Sequence, residues 1–463
     1  MKFGGTSMGS AERIKVAAQI CREQQQQRPV VAVVSAMSKV TDLLLETLRK
    51  AEAGDDGGIE TNLKALETRH RECCFELLAN QCDTGARSHA MADMQSLIAD
   101  FRRIAHGMRM LGERPPRSVD EAIAIGERLS AVLIAAYLCC SGTPARAISG
   151  AEVIVTDSVF GNANPLMDET TKRAEAVLRP LLEQGILPIV TGFNGATMDG
   201  RPTTLGRGGS DFSASILAAA LRACELWIWT DVNGIMSADP RSVPNARVLD
   251  ELTYNEAAEL AYNGAKVLHP RTLAPLIEHQ IPVWSKNSFA LEMPGTKIVT
   301  RTQSKPGPRA VTSMANVTLV AIEPASAAIS GTRIMARALE ALAAANAEVL
   351  AFSSSSYRQS FCFLVRNEEL AETLRMLEQD LALELTHGYL KPIEVDQNVG
   401  LLAVVGEGMR GTPGLAGKLF SAISRQNVNI IAIAQGSSEI TISVVVRRDG
   451  LERAIQAVHE ECG

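Results

Sequence analysis

Residues 205–235 read LGRGGSDFSASILAAALRACELWIWTDVNGI. A glycine-rich loop, Leu205–Ser213, runs into the helical spacing of Ala214–Arg222, and the apolar run Leu226–Thr230 follows it closely. That run stops at Asp231-Val232-Asn233-Gly234-Ile235, a strand end with an Asn-Gly turn. Loop, helix, buried strand and turn in this order is the unit from which parallel α/β sheets are built. The loop itself gathers a guanidinium, a carboxylate and several backbone N–H donors, which suits an anion. An N-capped helix with Ser210 or Asp211 as the cap is the plainer reading of the same residues.

Working outward, Val30–Val34 and Ile186–Val190 read as further buried strands, and Glu256–Ala265 carries helical spacing. Residues 42–118 are rich in Glu, Arg, Leu and Ala and are expected to be a helical excursion, with the Gln24–Gln27 tract before them a solvated helix end or loop. Thr300–Arg309 is a linker by composition. Beyond it the chain repeats. Gly331-Thr332 precedes the helical run Met335–Ala345, then Asn346 and an apolar strand ending in Ser353–Ser356. Gly411-Thr412 precedes Leu415–Arg425, then Asn427 and the strand Ile430–Ala434 ending in Gln435-Gly436-Ser437-Ser438. Two copies suggest tandem small α+β modules, because a solenoid needs more repeats to bury its core.

The 463 residues give a length prior of two to four domains, with 46% hydrophobic and 21% charged residues, a globular composition. A net charge of −6, no basic run and only 4% aromatics argue against nucleic acid. The longest apolar stretch, Leu129–Cys140, is too short for a membrane helix, and no apolar signal region opens the chain. The nine cysteines are scattered, with adjacent pairs Cys73-Cys74 and Cys139-Cys140 and no CxxC. They are expected to be free, buried thiols in a reducing cytoplasm.

Several motifs carry or imitate chemistry. Gly406-Glu407-Gly408-Met409-Arg410-Gly411 follows a strand and opens a helix, matching G-x-G-x-x-G. The next strand ends in Gln435 where a dinucleotide site needs an acid, so the match reads as a decoy. The near P-loop Gly411–Lys418 has the wrong spacing and is a second decoy. Lys2-Phe3-Gly4-Gly5-Thr6-Ser7 lets backbone approach a phosphate and adds hydroxyl donors, though a tight turn would use the same residues. Gly126-Glu127-Arg128-Leu129-Ser130 could supply an acid for an ammonium group.

Together these pieces resemble one family. KFGGTS at 2–7, VVSAMSKVTDLL at 33–44, GERLS at 126–130, TGF at 191–193, GRGGSDFSA at 206–214, WTDVNGI at 229–235, ADPR at 238–241 and GAKVLHPRT at 264–272 are similar to the aspartate kinases, in their order. The repeated tail resembles that family's paired ACT domains. The resemblance implies an α/β amino-acid-kinase domain with a mainly parallel sheet at 1–300, a linker at 301–310, and βαββαβ ACT modules at 311–394 and 395–463. It further implies that the strand near Ala310–Ser313 joins the second ACT sheet. No dehydrogenase domain is expected after the second module.

The implied activity is transfer of the ATP γ-phosphoryl group to the β-carboxylate of L-aspartate, opening lysine, threonine and methionine biosynthesis. A carboxylate with an unperturbed pKa of ~3.9 needs no general base, so the work is positioning and electrostatics. By resemblance Lys2 and Asp211 are catalytic. Ser35, Thr41, Glu127, Phe193, Arg207, Gly209 and Ser210 would contact aspartate, with Glu127 on its ammonium and Arg207 on its α-carboxylate. Lys2, Gly4, Gly5, Thr6, Thr230, Asp231, Met236, Arg241, Lys266 and Val267 would hold ATP, with Mg²⁺ bridging its phosphates and no metal site made by the protein. Met236 stands where some relatives have Tyr, so that contact is expected to be apolar. Relatives usually have a few strand residues before this lysine, whereas here it is residue 2, so two expectations stay open: a short first strand, or a chain that begins late.

An end-product amino acid, threonine or lysine, is expected at Ile329, Gly331, Ile334, Asn346, Val349 and Ser354 of the first repeat and at Met409, Asn427, Ile430 and Gln435 of the second. Ser354 is aligned with Gln435 and Arg358 with Glu439, and the layout leans to threonine. A homodimer through the ACT modules and a cytoplasmic location are also implied, with no nucleic acid or membrane partner. Two rival readings stay open: a kinase for glutamate or a similar carboxylate, and an amino-acid sensor whose kinase domain is inactive.

Overall fold

The apolar runs become short strands: β1 (Lys2–Phe3), β2 (Ala32–Val34), β3 (Ala145–Ile148), β4 (Val155–Thr156), β5 (Leu187–Thr191), β6 (Asn194–Thr197), β7 (Pro202–Thr204), β8 (Leu226–Thr230), β9 (Glu251–Thr253), β10 (Val283–Asn287) and β11 (Thr296–Val299). The computed structural model describes residues 1–79, 84–265, 267–303, 307–325, 330–356, 359–409 and 411–462. They fall into two compact units, 1–235 with 268–301, and 236–267 with 302–463. The sequence boundary at residue 300 therefore does not coincide with the compact division, because 236–267 pack with the later residues.

In the first unit the main sheet runs β3-β5-β2-β1-β8-β10-β11, parallel except for β11. A small sheet, β4-β6-β7, carries a hairpin beside it. The excursion after residue 40 is helical as its composition implies. In the helix Val40–Glu52, Val40, Leu44, Thr47, Leu48 and Ala51 are buried, an apolar stripe at helical spacing. The helix Asp56–Leu78 repeats that pattern with Ile59, Leu63, Leu66, His70, Cys73, Cys74 and Leu77, and Thr84–Leu111 completes the layer. These stripes join Phe3, Val34, Leu129 and Ile189 in one core.

The stretch Pro116–Cys140 is long and apolar enough to cross a membrane, more than the run picked out from the sequence. It forms two helices, Pro116–Ile123 and Ile125–Cys140, and Ile125, Leu129, Leu133, Ile134 and Leu138 are buried in the first unit's core. The expectation of free, buried thiols fails in two respects. Cys21, Cys73, Cys74, Cys139, Cys224, Cys362 and Cys462 are free, but Cys139 and Cys224 are exposed, and Cys140 is disulfide-bonded, its partner outside the described residues. Spacing in sequence cannot reveal such a bond, which depends on the approach of two Cβ atoms in space.

The second unit holds β9 and a six-stranded antiparallel sheet, β13-β14-β12-β15-β17-β16. Its strands are β12 (Ala310–Ile322), β13 (Ala351–Ser354), β14 (Phe361–Arg366), β15 (Glu394–Val405), β16 (Ile430–Gln435) and β17 (Thr441–Arg447). The long strands β12 and β15 serve both repeats. Ala310 pairs with Val405 and Ser313 with Leu402, while Val320 pairs with Phe363 and with Val395. One sheet face packs the helices Gly331–Ala344 and Leu370–Asp380 through Ile334, Leu342, Phe363 and Leu377. Farther along it, Leu415–Arg425 and Leu451–Glu461 pack through Leu419, Ile423, Val444 and Val458.

Candidate active site

In the first unit β1 lies between β2 and β8 and is parallel to both, with Lys2 opposite Val33 and Ile228. Later strands build away from it on either side, so β1 marks the point where strand order reverses and a crevice opens at the carboxyl ends. A cleft of about 630 Å³ occupies that place. Lys2, Ser35, Thr41, Glu127, Phe193, Arg207, Gly209, Ser210 and Asp211 all line it, so the structure brings together the proposed catalytic and aspartate-contacting residues.

Lys2 is buried and its Nζ lies 2.7 Å from Asp211 Oδ1. Asp211 sits in the first turn of the helix Gly209–Ala220, whose preceding glycine, Gly208, is left-handed at φ 71°. Glu127 is 3% exposed on the helix Ile125–Cys140. Burial pushes its carboxyl up to about 8, against the pull of the Ala36 N–H, its own backbone N–H and the Lys2 charge. Its Oε2 has no hydrogen-bond partner among the described residues. The Arg207 side chain is exposed at the rim and lines the same cleft. A buried acid, a rim guanidinium and a central ammonium match the two charged ends of an α-amino acid and an attacking carboxylate.

Glycine is needed where backbones meet. A Cβ on Gly5 would stand 3.2 Å from Ala36 O, and one on Gly192 would stand 2.8 Å from Ser210 Cβ. Phe193 adopts φ 72°, a costly conformation for a bulky residue. Its N–H donates to Ser213 Oγ at 2.9 Å and its carbonyl accepts from Leu205 N–H at 2.9 Å, which holds it there.

Of the residues expected to hold a nucleotide, Gly4, Gly5 and Thr6 form the turn after β1, and Gly4 N–H donates to Trp229 O at 3.2 Å. Thr230 ends β8, and its Oγ1 donates to Asp231 Oδ1 at 3.2 Å. Met236, Arg241 and Val267 belong to the second unit, and Lys266 lies outside the described residues. Arg241 is forked onto Asp239 at 3.0 and 2.5 Å. Met236 bridges to Val248.

Two residues of this region were not singled out from the sequence. Asp120, 1% exposed, accepts from Gly161 N–H, Thr204 N–H and Thr204 Oγ1 at 2.7–2.9 Å. Arg271 donates to Asn162, Leu205 O, Ala163 O and Asn164 and lies 4.7 Å over the Phe212 ring. Both brace the base of the Gly206–Asp211 loop. Arg271 lay inside the quoted GAKVLHPRT, and only its several carbonyl partners, distant in sequence, reveal the role.

In the repeats, Gly331 and Ile334 open a helix, Ser354 ends β13, and Ile430 and Gln435 bound β16. Met409 is buried and Val349 exposed, while Ile329 lies outside the described residues. Asn346 and Asn427 are left-handed at φ 52° and 56°, just past helix ends, a geometry asparagine tolerates. The helix openings already have side-chain acceptors: Thr332 N–H donates to Gln359 Oε1 at 2.8 Å, and Gly411 N–H to Glu439 Oε2 at 2.9 Å. Gln359 and Glu439 are both left-handed, so Gln359 is the counterpart of Glu439, where the sequence alignment had Arg358. The turn after β16 is one residue shorter than that after β13. The first glycine of the G-x-G-x-x-G run serves the chain's own packing, since a Cβ on Gly406 would lie 2.1 Å from Gly307 O.

The Amino acid kinase family profile matches residues 1–287, and an ACT domain profile matches 402–462. The Escherichia coli aspartokinase III structure in complex with aspartate and ADP superposes with a TM-score of 0.82 at 30% identity, over 99% of this chain and 98% of that one. The chain belongs to the amino acid kinase family, among the aspartokinases. The Clostridium acetobutylicum aspartate kinase structure is similar too, at TM-score 0.81 and 27% identity, covering 100% of this chain and 99% of that one. The bifunctional aspartokinase/homoserine dehydrogenase 1 of Arabidopsis thaliana is 36% identical over 99% of this chain and 50% of its own length. The chain thus spans about half the length of the first curated relatives it matches.

Proposed function

We propose that this aspartokinase-family chain transfers the ATP γ-phosphoryl group to the β-carboxylate of L-aspartate. One observation carries the reading: the buried, unpartnered carboxylate oxygen of Glu127 shares a cleft with Arg207 and with the Lys2–Asp211 pair. Glu127 receives the substrate ammonium, and Arg207 takes the α-carboxylate with two parallel donors, which Lys could not supply. The β-carboxylate is left facing Lys2. Lys2 draws together the two anions and stabilises charge as it moves between oxygens, while Asp211 keeps its ammonium aimed.

The Gly4-Gly5 turn fits a nucleotide, because a Cβ on Gly4 would come 3.4 Å from Lys2 Nζ and narrow the space a phosphate needs. Gly4, Gly5, Thr6, Thr230, Asp231, Met236, Arg241, Lys266 and Val267 are the proposed ATP contacts. Mg²⁺, carried on the phosphates, would neutralise their charge. Kinase domain 1–300, linker 301–310 and ACT modules 311–394 and 395–463 remain the proposed functional division. Homodimerisation through those modules and regulation by lysine or threonine belong to the same reading. The lysine part of that reading draws support from the Escherichia coli aspartokinase III structure in complex with lysine and aspartate.

Acyl-phosphate trapping with ATP and a panel of amino acids is the test. An aspartyl product is expected. A glutamyl product would point to the rival kinase, and no product with any amino acid would leave only the sensor.

A further inference from the structure

The helix Tyr254–Tyr262 opens on a capping box in which Thr253 Oγ1 accepts Glu256 N–H at 3.2 Å and Glu256 Oε2 accepts Thr253 N–H at 2.8 Å. A capping box uses one carboxylate oxygen. The other, Oε1, accepts the N–H of Glu407 at 2.7 Å, 151 residues away in sequence. Glu256 is fully buried, with the Arg309 guanidinium 3.7 Å from Oε2. Nearly one turn on, Glu259 Oε2 accepts from Thr441 Oγ1 at 2.8 Å.

Glu407 stands in the glycine loop 406–411, and Thr441 opens β17 directly after the turn at 436–440. These two loops carry or adjoin Met409, Gln435 and Glu439, and one helix grips both. The same helix ends in Asn263, whose Nδ2 donates to Glu259 O at 2.8 Å and whose carbonyl accepts from Thr312 Oγ1 at 3.1 Å. Residues 264–267, which include the proposed nucleotide contacts Lys266 and Val267, follow at once. Ser237 Oγ and His459 Nε2, 2.9 Å apart, add a second tie between the segment 236–267 and the last helix.

We infer that Glu256 and Glu259 are positioning residues that tie the helix end at Asn263, just ahead of the proposed nucleotide contact Val267, to both proposed effector loops of the second ACT repeat, so that this repeat rather than the first is coupled to nucleotide binding. The inference rests on the nucleotide reading above. A carboxylate accepting a backbone N–H is a charge-assisted bond, strong only at close range and good angle, so a loop shift at 406–411 must move the helix or break it. Coupling is reciprocal: whatever the loops do to nucleotide affinity, nucleotide does to the loops. This makes the coupling measurable with nucleotide alone.

Hydrogen exchange on the full chain, with and without saturating MgADP, is the experiment, and calorimetry sets saturation for each variant. In the wild type MgADP is expected to change exchange at 406–411 and 436–441 by about fivefold or more, the lower end of ordinary coupling, and to leave 330–333 and 355–360 unaltered. In Glu259→Gln with Thr441→Val the change at 436–441 should vanish while MgADP still binds. Glu256→Gln should do the same at 406–411, but its buried site risks misfolding, so the Glu259 and Thr441 substitutions carry the test. A merely structural role would lower the thermal midpoint yet leave the nucleotide-linked change in place. A change that survives the double substitution, that is equally large in the first repeat, or that is absent from the wild type overturns the inference. If MgADP gives neither binding heat nor protection at Gly4–Thr6, the nucleotide reading itself fails, and the coupling falls with it.

Discussion

In the proposed reading Arg207 and Glu127, which line one cleft, divide the recognition of an amino acid, and each makes a distinct prediction. Arg207→Lys keeps the charge and loses the fork, removing one charged hydrogen bond worth about 1.5–3 kcal/mol. The aspartate KM should rise about tenfold or more while the ATP KM stays put. Steady-state kinetics with each substrate varied checks this, and an unaltered aspartate KM in a folded protein removes Arg207 from the site. For Glu127 the prediction is a proton. Burial holds its carboxyl at about 8, so at pH 7 it is mostly protonated, and pairing with the substrate ammonium requires that proton to leave. Aspartate binding should therefore release a proton and tighten as pH rises from 6 to about 8, read by calorimetry in buffers of different ionisation heat. Glu127→Gln should abolish the release. The linkage to folding has the opposite pH sense. An acid whose folded value is raised contributes stability that is full below its ordinary value of 4.5 and lost as pH rises through about 8.

At the scale of elements, the site depends on how closely the end of β5 approaches the helix Gly209–Ala220. Gly192 faces Ser210 with no room for a methyl group, because the blocking atoms include Ser210 Cα at 2.9 Å as well as Cβ. Backbone cannot rotate away as a long side chain can. Gly192→Ala should cost about 1–3 kcal/mol through overpacking and push the helix start, with Asp211, away from Lys2. A lowered thermal midpoint together with a lowered kcat is expected. A stable variant with full turnover would mean that the helix start tolerates displacement. Phe193 belongs to the same joint, since its left-handed backbone is affordable only while Ser213 and Leu205 hold it.

For the whole molecule, the important fact is the membership of 236–267 in the second unit. Ala238 and Val243 share a core with Leu402, Val404, Leu419 and Val444, so the segment that carries proposed nucleotide contacts is stabilised by the residues of the second ACT repeat. Leu402 is fully buried there, and Leu402→Ala should cost about 2–5 kcal/mol. The expected kinetic signature is a raised ATP KM with a nearly unaltered aspartate KM, because the proposed aspartate contacts lie in the first unit. Equal rises in both constants would show that the two units are not separable in this way.

The sequence by itself determined the elements and the chemistry of the cleft. Leu226–Thr230 and Leu415–Arg425 form the strand and helix that were read, because local apolar period and turn residues suffice to specify short elements. Lys2, Arg207 and Asp211 were picked out through the resemblance of their motifs to the aspartate kinases, since each glycine-rich loop taken alone also fits a plain turn or an N-capped helix, and all three line the cleft. The tertiary structure decided what depends on distant residues meeting. The braces at Asp120 and Arg271 and the true counterpart of Glu439 each rest on contacts across long sequence separations. So does the seat of 236–267, whose strand and helix pattern looks like the rest of the kinase domain. Its allegiance to the second ACT repeat comes from the buried carboxylate of Glu256 and a shared core, and periodicity records that a face is apolar without recording what covers it.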